Sequence, residues 1–462
     1  MKDALKYLDE LSDDLGNSPS LQRELATAYL RVGDVQGRPY ASNLGQTDGA
    51  LASYQKALLI LEPMSSSNQQ DNELKRDLAT VYERIGNIQL RKGNGKDALD
   101  KNNKAMDMRQ ALLATDPSNK NYRREVADSY LYIGDALQAK CLDLECMRTA
   151  LEDPRRALEI RQALAKEDPS DLEIRRDIAQ AYGRISFRLS NFGQSTGDKK
   201  YFQQWLESDQ AALMIRRELA TANPTNARDR RNLADQLMAT ARAQGANADT
   251  AGALIGLRES LDIFKALSSA DPTNSEARRD LSFVYYSLAA AYDQAGETRA
   301  ARENYAEVLR VDQELLDKDA TNVEDWLNVH NTFYKLSGLS KRIGDWAGAI
   351  ENLQRVVEVS EKIVTLGPDT PSHLDGLANA YRSMGNLFAE SAGAHLANGI
   401  LNEPIPPATT AERVQSWREA KNWFQKSFDA YREMQRKGLP TLDTSVIARE
   451  ISQCDAVLAK SH

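Results

Sequence analysis

Few side chains in this chain are placed to do covalent chemistry. The four histidines, His330, His373, His395 and His462, are scattered, with no His-x-x-x-His and no Glu-flanked pair. Neither a metal-binding helix nor an acid–base pair is indicated, and His330 reads as a packed, hydrogen-bonded core residue. Cys141 and Cys146 lie five apart with no second pair, which is not zinc-ligand spacing. They read as free thiols or, in an oxidising compartment, as a disulfide. No Gly-rich phosphate loop, Gly-x-Ser-x-Gly turn or Ser/His/Asp arrangement occurs. The expectation is a protein without enzymatic activity, cofactor or metal.

The chemistry that recurs is ionic. Lys75-Arg76, Arg123-Arg124, Arg175-Arg176, Arg230-Arg231 and Arg278-Arg279 precede Asp77, Glu125, Asp177, Asn232 and Asp280. Alternating sign predicts ion pairs along the chain rather than a phosphate patch. The whole-chain balance agrees: 59 basic against 67 acidic side chains give a net charge of -8, which disfavours nucleic acid as a partner. No stretch approaches 18 apolar residues, and Met1-Lys2-Asp3-Ala4-Leu5 has no apolar signal core. Direct membrane insertion is not expected, and the expected location is cytoplasmic.

What must position these charges is a repeat. An aliphatic-Ala-x-x-aromatic pentad begins at Leu25, Leu78, Val126, Ile178, Leu233, Leu281, Val329 and Leu377, at spacings of 53, 48, 52, 55, 48, 48 and 48. Its last residues are Tyr29, Tyr82, Tyr130, Tyr182, Leu237, Tyr285, Phe333 and Tyr381. A near-constant period over eight copies is the pattern of a solenoid whose units bury their apolar faces against their neighbours. In the second copy, Leu74, Leu78, Val81, Tyr82, Ile85 and Ile88 make one stripe of a helix A. Gly93-Asn94-Gly95 ends it, and Ala98, Leu99, Ala105, Met106, Met108 and Leu112 continue as a helix B until Asp116-Pro117. Two helices joined so briefly lie antiparallel. Junctions such as Asp116-Pro117-Ser118-Asn119 and Asp271-Pro272-Thr273-Asn274 end one helix and cap the next.

Tyr82, Ile85, Gly86, Gly93, Ala98 and Ala105 resemble the tetratricopeptide (TPR) consensus. The sixth copy is more similar still, with Tyr285, Leu288, Ala289, Tyr292, Gly296, Ala301, Tyr305 and Val308. The resemblance implies an all-α, right-handed TPR-like solenoid of antiparallel helical hairpins. A TPR unit has about 34 residues; roughly two extra turns on each helix account for the longer period. In TPR proteins the inner helix faces a concave groove whose polar residues hold a peptide or a partner helix. By phase, the groove candidates are Arg31, Asp34, Thr80, Arg84, Asn87, Arg91, Asp128 and Asp135. The Lys/Asn set with which some TPRs grip a terminal carboxylate is not reproduced. The resemblance thus implies a protein- or peptide-binding scaffold, and it fixes no oligomeric state.

A weaker resemblance covers Leu21-Gln22-Arg23-Glu24-Leu25-Ala26, Gly33-Asp34-Val35-Gln36-Gly37 and Ala50 to Leu58. This run is similar to TPR regions that follow the catalytic domain in some bacterial serine/threonine kinases. The alternative function it implies is a sensory or regulatory segment of such a kinase, extracytoplasmic if the kinase is membrane-anchored. No kinase element is present in the chain.

Residues 1–15, with Leu5, Leu8, Leu11 and Leu15, read as a half-repeat or capping helix, 19–437 as eight hairpins, and 438–462 as a C-terminal capping helix. Insertions at the hairpin tips are expected at 37–43, 141–149, 193–200 and 393–414, the last an irregular loop projecting from its tip. Asp153-Pro154 predicts a kink or a restart within a helix B. The aromatic ladder is expected to be interior packing, with Tyr edges reaching the groove.

Overall fold

The computed structural model describes residues 2–14, 18–39, 44–141, 143–397, 400–402 and 410–461. Two local signals divide them into helices. At six of the eight turns that enter a helix A, an Asp or Asn side chain caps the new helix: Asp71 accepts from the Leu74 N–H, Asn119 from Tyr122, Asp171 from Ile174, Asn226 from Asp229, Asn274 from Ala277 and Asn322 from Asp325. Each satisfies a backbone donor that the first helical turn leaves open. At the turns between A and B, Gly93, Gly296 and Gly344 take φ of 80°, 77° and 78°, the left-handed region that favours glycine. Ala248, fifteen residues after its anchor as each of these is, adopts φ 62° there.

Contacts divide the chain into two bodies, Met1–Ala248 and Asp249–His462. The N-terminal body holds α1 (Lys2–Asp14), the hairpins α2 (Pro19–Gly37) with α3 (Thr47–Ser67), α4 (Asn72–Arg91) with α5 (Gly95–Thr115), α6 (Lys120–Gln138) with α7 (Leu144–Glu167), α8 (Leu172–Thr196) with α9 (Lys199–Ala222), and then α10 (Ala227–Ala246). The C-terminal body holds α11 (Thr250–Ala270), the hairpins α12 (Ser275–Gln294) with α13 (Thr298–Lys318), α14 (Val323–Arg342) with α15 (Trp346–Leu366), α16 (Pro371–Ser391) with α17 (Ala411–Arg436), and α18 (Thr444–Ala459). Within each body a helix packs on its neighbours in sequence, and α2 also touches α4, α4 touches α6 and α6 touches α8. The fold is an all-α, TPR-like helical-repeat solenoid, as the periodicity predicts.

The core follows the pentads. Leu25, Ala26, Tyr29, Leu78, Ala79 and Tyr82 are buried together with Tyr54, Ala57 and Leu61 of α3, and Leu5, Leu8 and Leu11 of α1 pack on them. Small residues set the closest approaches, as the TPR resemblance implies. A Cβ at Gly86 would meet Asn102 Oδ1 at 2.6 Å, and one at Gly385 would meet the Phe424 ring at 2.6 Å.

Two local expectations are corrected, and a third, a kink or a restart at Pro154, loses its second alternative. Helix α7 runs through Pro154 without a restart. The extra residues at 193–200 are taken up mostly as helix, because α8 continues to Thr196 and α9 begins at Lys199. The segment 393–414 is not wholly irregular: β1 (His395–Ala397) pairs antiparallel with β2 (Ile400–Asn402), and β2 lies beside α18 rather than standing away from the array. This two-stranded pair is the one sheet among the described residues. Residues 40–43, Gly399, Pro404, Pro406 and Pro407, like Leu15 and His462, lie outside them. Among the described residues no helix is long and apolar enough to cross a membrane.

Candidate functional site

The expected site is the exposed face of the inner helices, and its eight candidates divide into two groups. Arg31 and Arg91 are exposed and Thr80 is half-buried. Arg31 makes no ion pair among the described residues. It lines a cleft of about 1170 Å3 bounded by α2, the C-terminal end of α3 and the N-terminal end of α4, beside Thr27, Ala28, Met64 and Leu74. Of the others, Asp34, Arg84 and Asp135 serve contacts between hairpins, Asp128 serves a contact within its own hairpin, and Asn87 is buried. Arg84 is buried and donates to Asp34 Oδ1 of the preceding hairpin at 3.0 Å. Arg184 stands 3.1 Å from Asp135 in the same relation, joined by Arg188 at 2.8 Å. Asn87 is buried in the phase of Asp34 and Asp135. Asp128 is held by Arg161.

The basic pairs form two ladders, as alternating sign predicts. In four of the five pairs the second arginine, like Arg23 in the first copy, reaches forward to the next inner helix: Arg23 to Asp77 at 2.8 Å, Arg76 to Glu125 at 2.6 Å, Arg124 to Asp177 at 2.5 Å, Arg176 to Asp229 and Arg279 to Asp325 at 2.8 Å. In three pairs the first reaches the outer helix of its own hairpin, Arg123 to Glu167 at 2.6 Å, Arg175 to Glu218 and Arg278 to Glu314.

A third arginine series lies outside these expectations. Arg109, Arg161 and Arg216 lie on successive B helices, and each donates to the carbonyl sixteen residues on: Glu125 O at 3.3 Å, Asp177 O at 2.6 Å and Asn232 O at 2.9 Å. Each acceptor is the residue just before an anchor of the repeat. Arg109 also donates to Glu83 at 2.6 Å and to Ser129 at 2.8 Å. Glu83 is buried, which by itself would raise its carboxyl; the guanidiniums of Arg109 and Arg84 outweigh that and hold it below the ordinary value. On an amphipathic helix a lone arginine looks like surface, which is why composition does not reveal these. Their recurrence at the repeat spacing is the signal that could have done so.

The aromatic ladder is interior or half-buried, and its hydroxyls bridge to the preceding B helix rather than to the groove. Tyr29 donates to Asp9 at 2.6 Å, Tyr82 to Glu62, and Tyr381 to Glu361 at 2.9 Å, while Gln162 donates to the Tyr182 hydroxyl at 3.2 Å. Every one of these pairs is twenty residues apart. Burial, then the hydrogen bond to Glu361, pushes the Tyr381 hydroxyl up to about 12.

Cys141 and Cys146 are joined in a disulfide, which corrects the free-thiol expectation. The link forms because Asp143 caps α7 through the Cys146 N–H at 2.8 Å, folding the connection so that the two Cα atoms stand 5.2 Å apart. His330 is half-buried and faces Asn331 Oδ1 at 3.3 Å, and burial lowers its pKa. Among the described residues no cluster of His, Cys, Asp and Glu could hold a metal ion.

No protein-family model matches the sequence, and no curated protein does. Solved structures do. The chain is similar to RapI in its apo form, at 15% identity over 74% of this chain and 99% of that one, with a TM-score of 0.45. It is similar to BtubC (BKLC) from P. vanneervenii, at 14% identity over 58% and 92% with a TM-score of 0.44. A tetratricopeptide repeat protein from Parabacteroides merdae is 14% identical over 79% and 99%, with a TM-score of 0.35.

Proposed function

We propose that this chain is a non-catalytic scaffold that binds a protein or peptide along the exposed face of its inner helices, at the cleft holding Arg31. The observation that carries this reading is the cleft itself. An exposed guanidinium without an ion pair among the described residues stands beside Ala28, Met64 and Leu74, a combination of polar and apolar groups suited to a peptide. Thr80 and Arg91 extend the surface. Asp34, Arg84, Asp128 and Asp135 act beneath it by fixing the spacing of the helices, and Asn87 is buried there without a role in the proposed contact. The absence of a catalytic motif in the sequence supports the non-enzymatic part of the reading.

Peptide-display selection on the intact protein tests it. Peptides should be enriched by the native chain and lost with Arg31→Glu and with Ala28→Trp, which fills the cleft. Both variants alter exposed or half-buried positions, so Tm should hold. Equal capture by native and altered proteins sinks the proposed site. Arg84 is unsuited to this test, since it is buried between Glu83 and Asp34 and its removal confounds binding with stability.

A further inference from the structure

The B-helix arginine series, buried at Arg109 and Arg161 and half-buried at Arg216, is neutralised twice and left open once. Arg109 has Glu83, and Arg161, which is 0% exposed, has Asp128 two residues after its anchor Val126. Arg216 occupies the third copy of the position, but the residue two after the anchor Ile178 is Gln180, which is neutral and faces Arg161 at 3.4 Å. Among the described residues Arg216 makes no ion pair; its one hydrogen bond is to Asn232 O, and its buried Nε has no acceptor. The guanidinium borders a partly enclosed cavity of about 210 Å3 between α8, α9 and α10. Arg176 and Arg228 line the same space, with Gln180 as a neutral hydrogen-bonding group. Three guanidiniums thus meet two carboxylates there, and these are already engaged: Asp177 by Arg124 and Asp229 by Arg176.

We propose that this cavity is a binding site for a carboxylate, which completes at Arg216 the ion pair that Asp128 supplies one hairpin earlier. The two filled copies define the chemistry, since both neutralise the arginine with a planar carboxylate, the group a guanidinium fork matches best. The volume admits a small anion and a few waters. Burial draws the Arg216 guanidinium below its ordinary pKa, with Asp235 and Asp209 opposing from further off; a bound anion would relieve that cost. The carboxylate could be a free small acid or an acidic side chain of a ligand, and the chemistry at the arginine is the same. The site is independent of the Arg31 cleft, so either proposal can fail alone.

Thermal denaturation of the intact protein tests it, with succinate and a hexaglutamate peptide as the two carboxylate sources and orthophosphate as control, each against chloride at constant ionic strength. Succinate, hexaglutamate or both should raise the Tm of the native chain by about 2 °C at saturating concentration. Gln180→Asp installs the missing carboxylate and should abolish the response while leaving the protein folded by circular dichroism. Arg216→Leu should abolish it too; where that variant fails to fold, Gln180→Asp decides. Loss of the response in Gln180→Asp supports the site. An undiminished response in Gln180→Asp, an equal response to orthophosphate, or no response to either carboxylate overturns it.

Discussion

In the N-terminal body the B-helix position sixteen residues ahead of the pre-anchor carbonyl holds Leu61 and then arginine three times running; in the C-terminal body it holds Phe264, Asp312 and Ser360. All three of the latter are buried, at 0%, 0% and 3% exposure. The hairpin therefore dictates that the position is interior, not what fills it. Phenylalanine needs only volume there. Ser360 bonds back to Val356 O of its own helix at 2.8 Å. The arginines instead recruit neighbours, Glu83, Ser129 and Asp128, so the N-terminal body is cross-wired where the other is packed. Asp312 is the awkward case: burial, with Asp325 adding to it and the Ser282 hydroxyl opposing, pushes its carboxyl up to about 6.

The largest effects should come from emptying the position. Arg161→Ala strands Asp128 and should cost about 3–5 kcal/mol in urea unfolding, close to the roughly 3–5 kcal/mol expected for Phe264→Ala. A cost below about 1 kcal/mol for the arginine would end the comparison. Replacing Arg161 and Asp128 together by leucine should recover most of the loss, because the pair's own desolvation goes with it.

Asp312→Asn should stabilise. The folded pKa lies above the ordinary carboxyl value, so the native protein holds the proton longer; stability is full below about pH 4 and falls as pH rises to about 6. The deficit at pH 7 is on the order of 2–3 kcal/mol. The difference in unfolding free energy between the Asp312→Asn variant and the native chain, followed from about pH 4 to 7, should grow by that amount. A flat difference would show that Asp312 is solvated.

Ala248→Gly relieves a left-handed alanine where other turns use glycine and should add about 1 kcal/mol, read as a raised urea midpoint at unchanged slope. An unchanged or lowered midpoint would place the strain elsewhere. The smallest effect should be Tyr381→Phe, about 0.5–1 kcal/mol for one hydroxyl, with Tyr29→Phe giving a similar loss in the other body. A large disparity would mean that the twenty-residue contact differs between the bodies.

Much of this was legible in residue types. Asp-Pro, Asn and Gly mark the helix ends because capping and left-handed turns are local chemistry, and the pentads mark the core because burial has a helical period. Ion pairs between hairpins follow from Arg76 and Arg124 standing beside acids. The burial of Arg84, Asn87 and Arg161 was not legible, since a polar side chain is driven inside only by partners on other helices. Cys141 and Cys146 carry no signal of their bond beyond nearness, and the strand pairing in 393–414 depends on a neighbour, α18, that is distant in sequence.

The sixteen- and twenty-residue contacts both cross the turn from a B helix to the next A helix, and neither spacing varies, although the distance between anchors ranges from 48 to 55 residues. All of the variation falls at the opposite turns. The turns from a B helix to the next A helix thus work as a ruler, and the turns from A to B as free space for additions. Deleting a single residue between Gln162 and Asp177 would rotate the helix that follows by about 100° and put two part-buried contacts out of phase at once. Adding several residues between α14 and α15 at Gly344 would disturb neither spacing, so new sequence can be written into the A-to-B turns and not into the B-to-A turns.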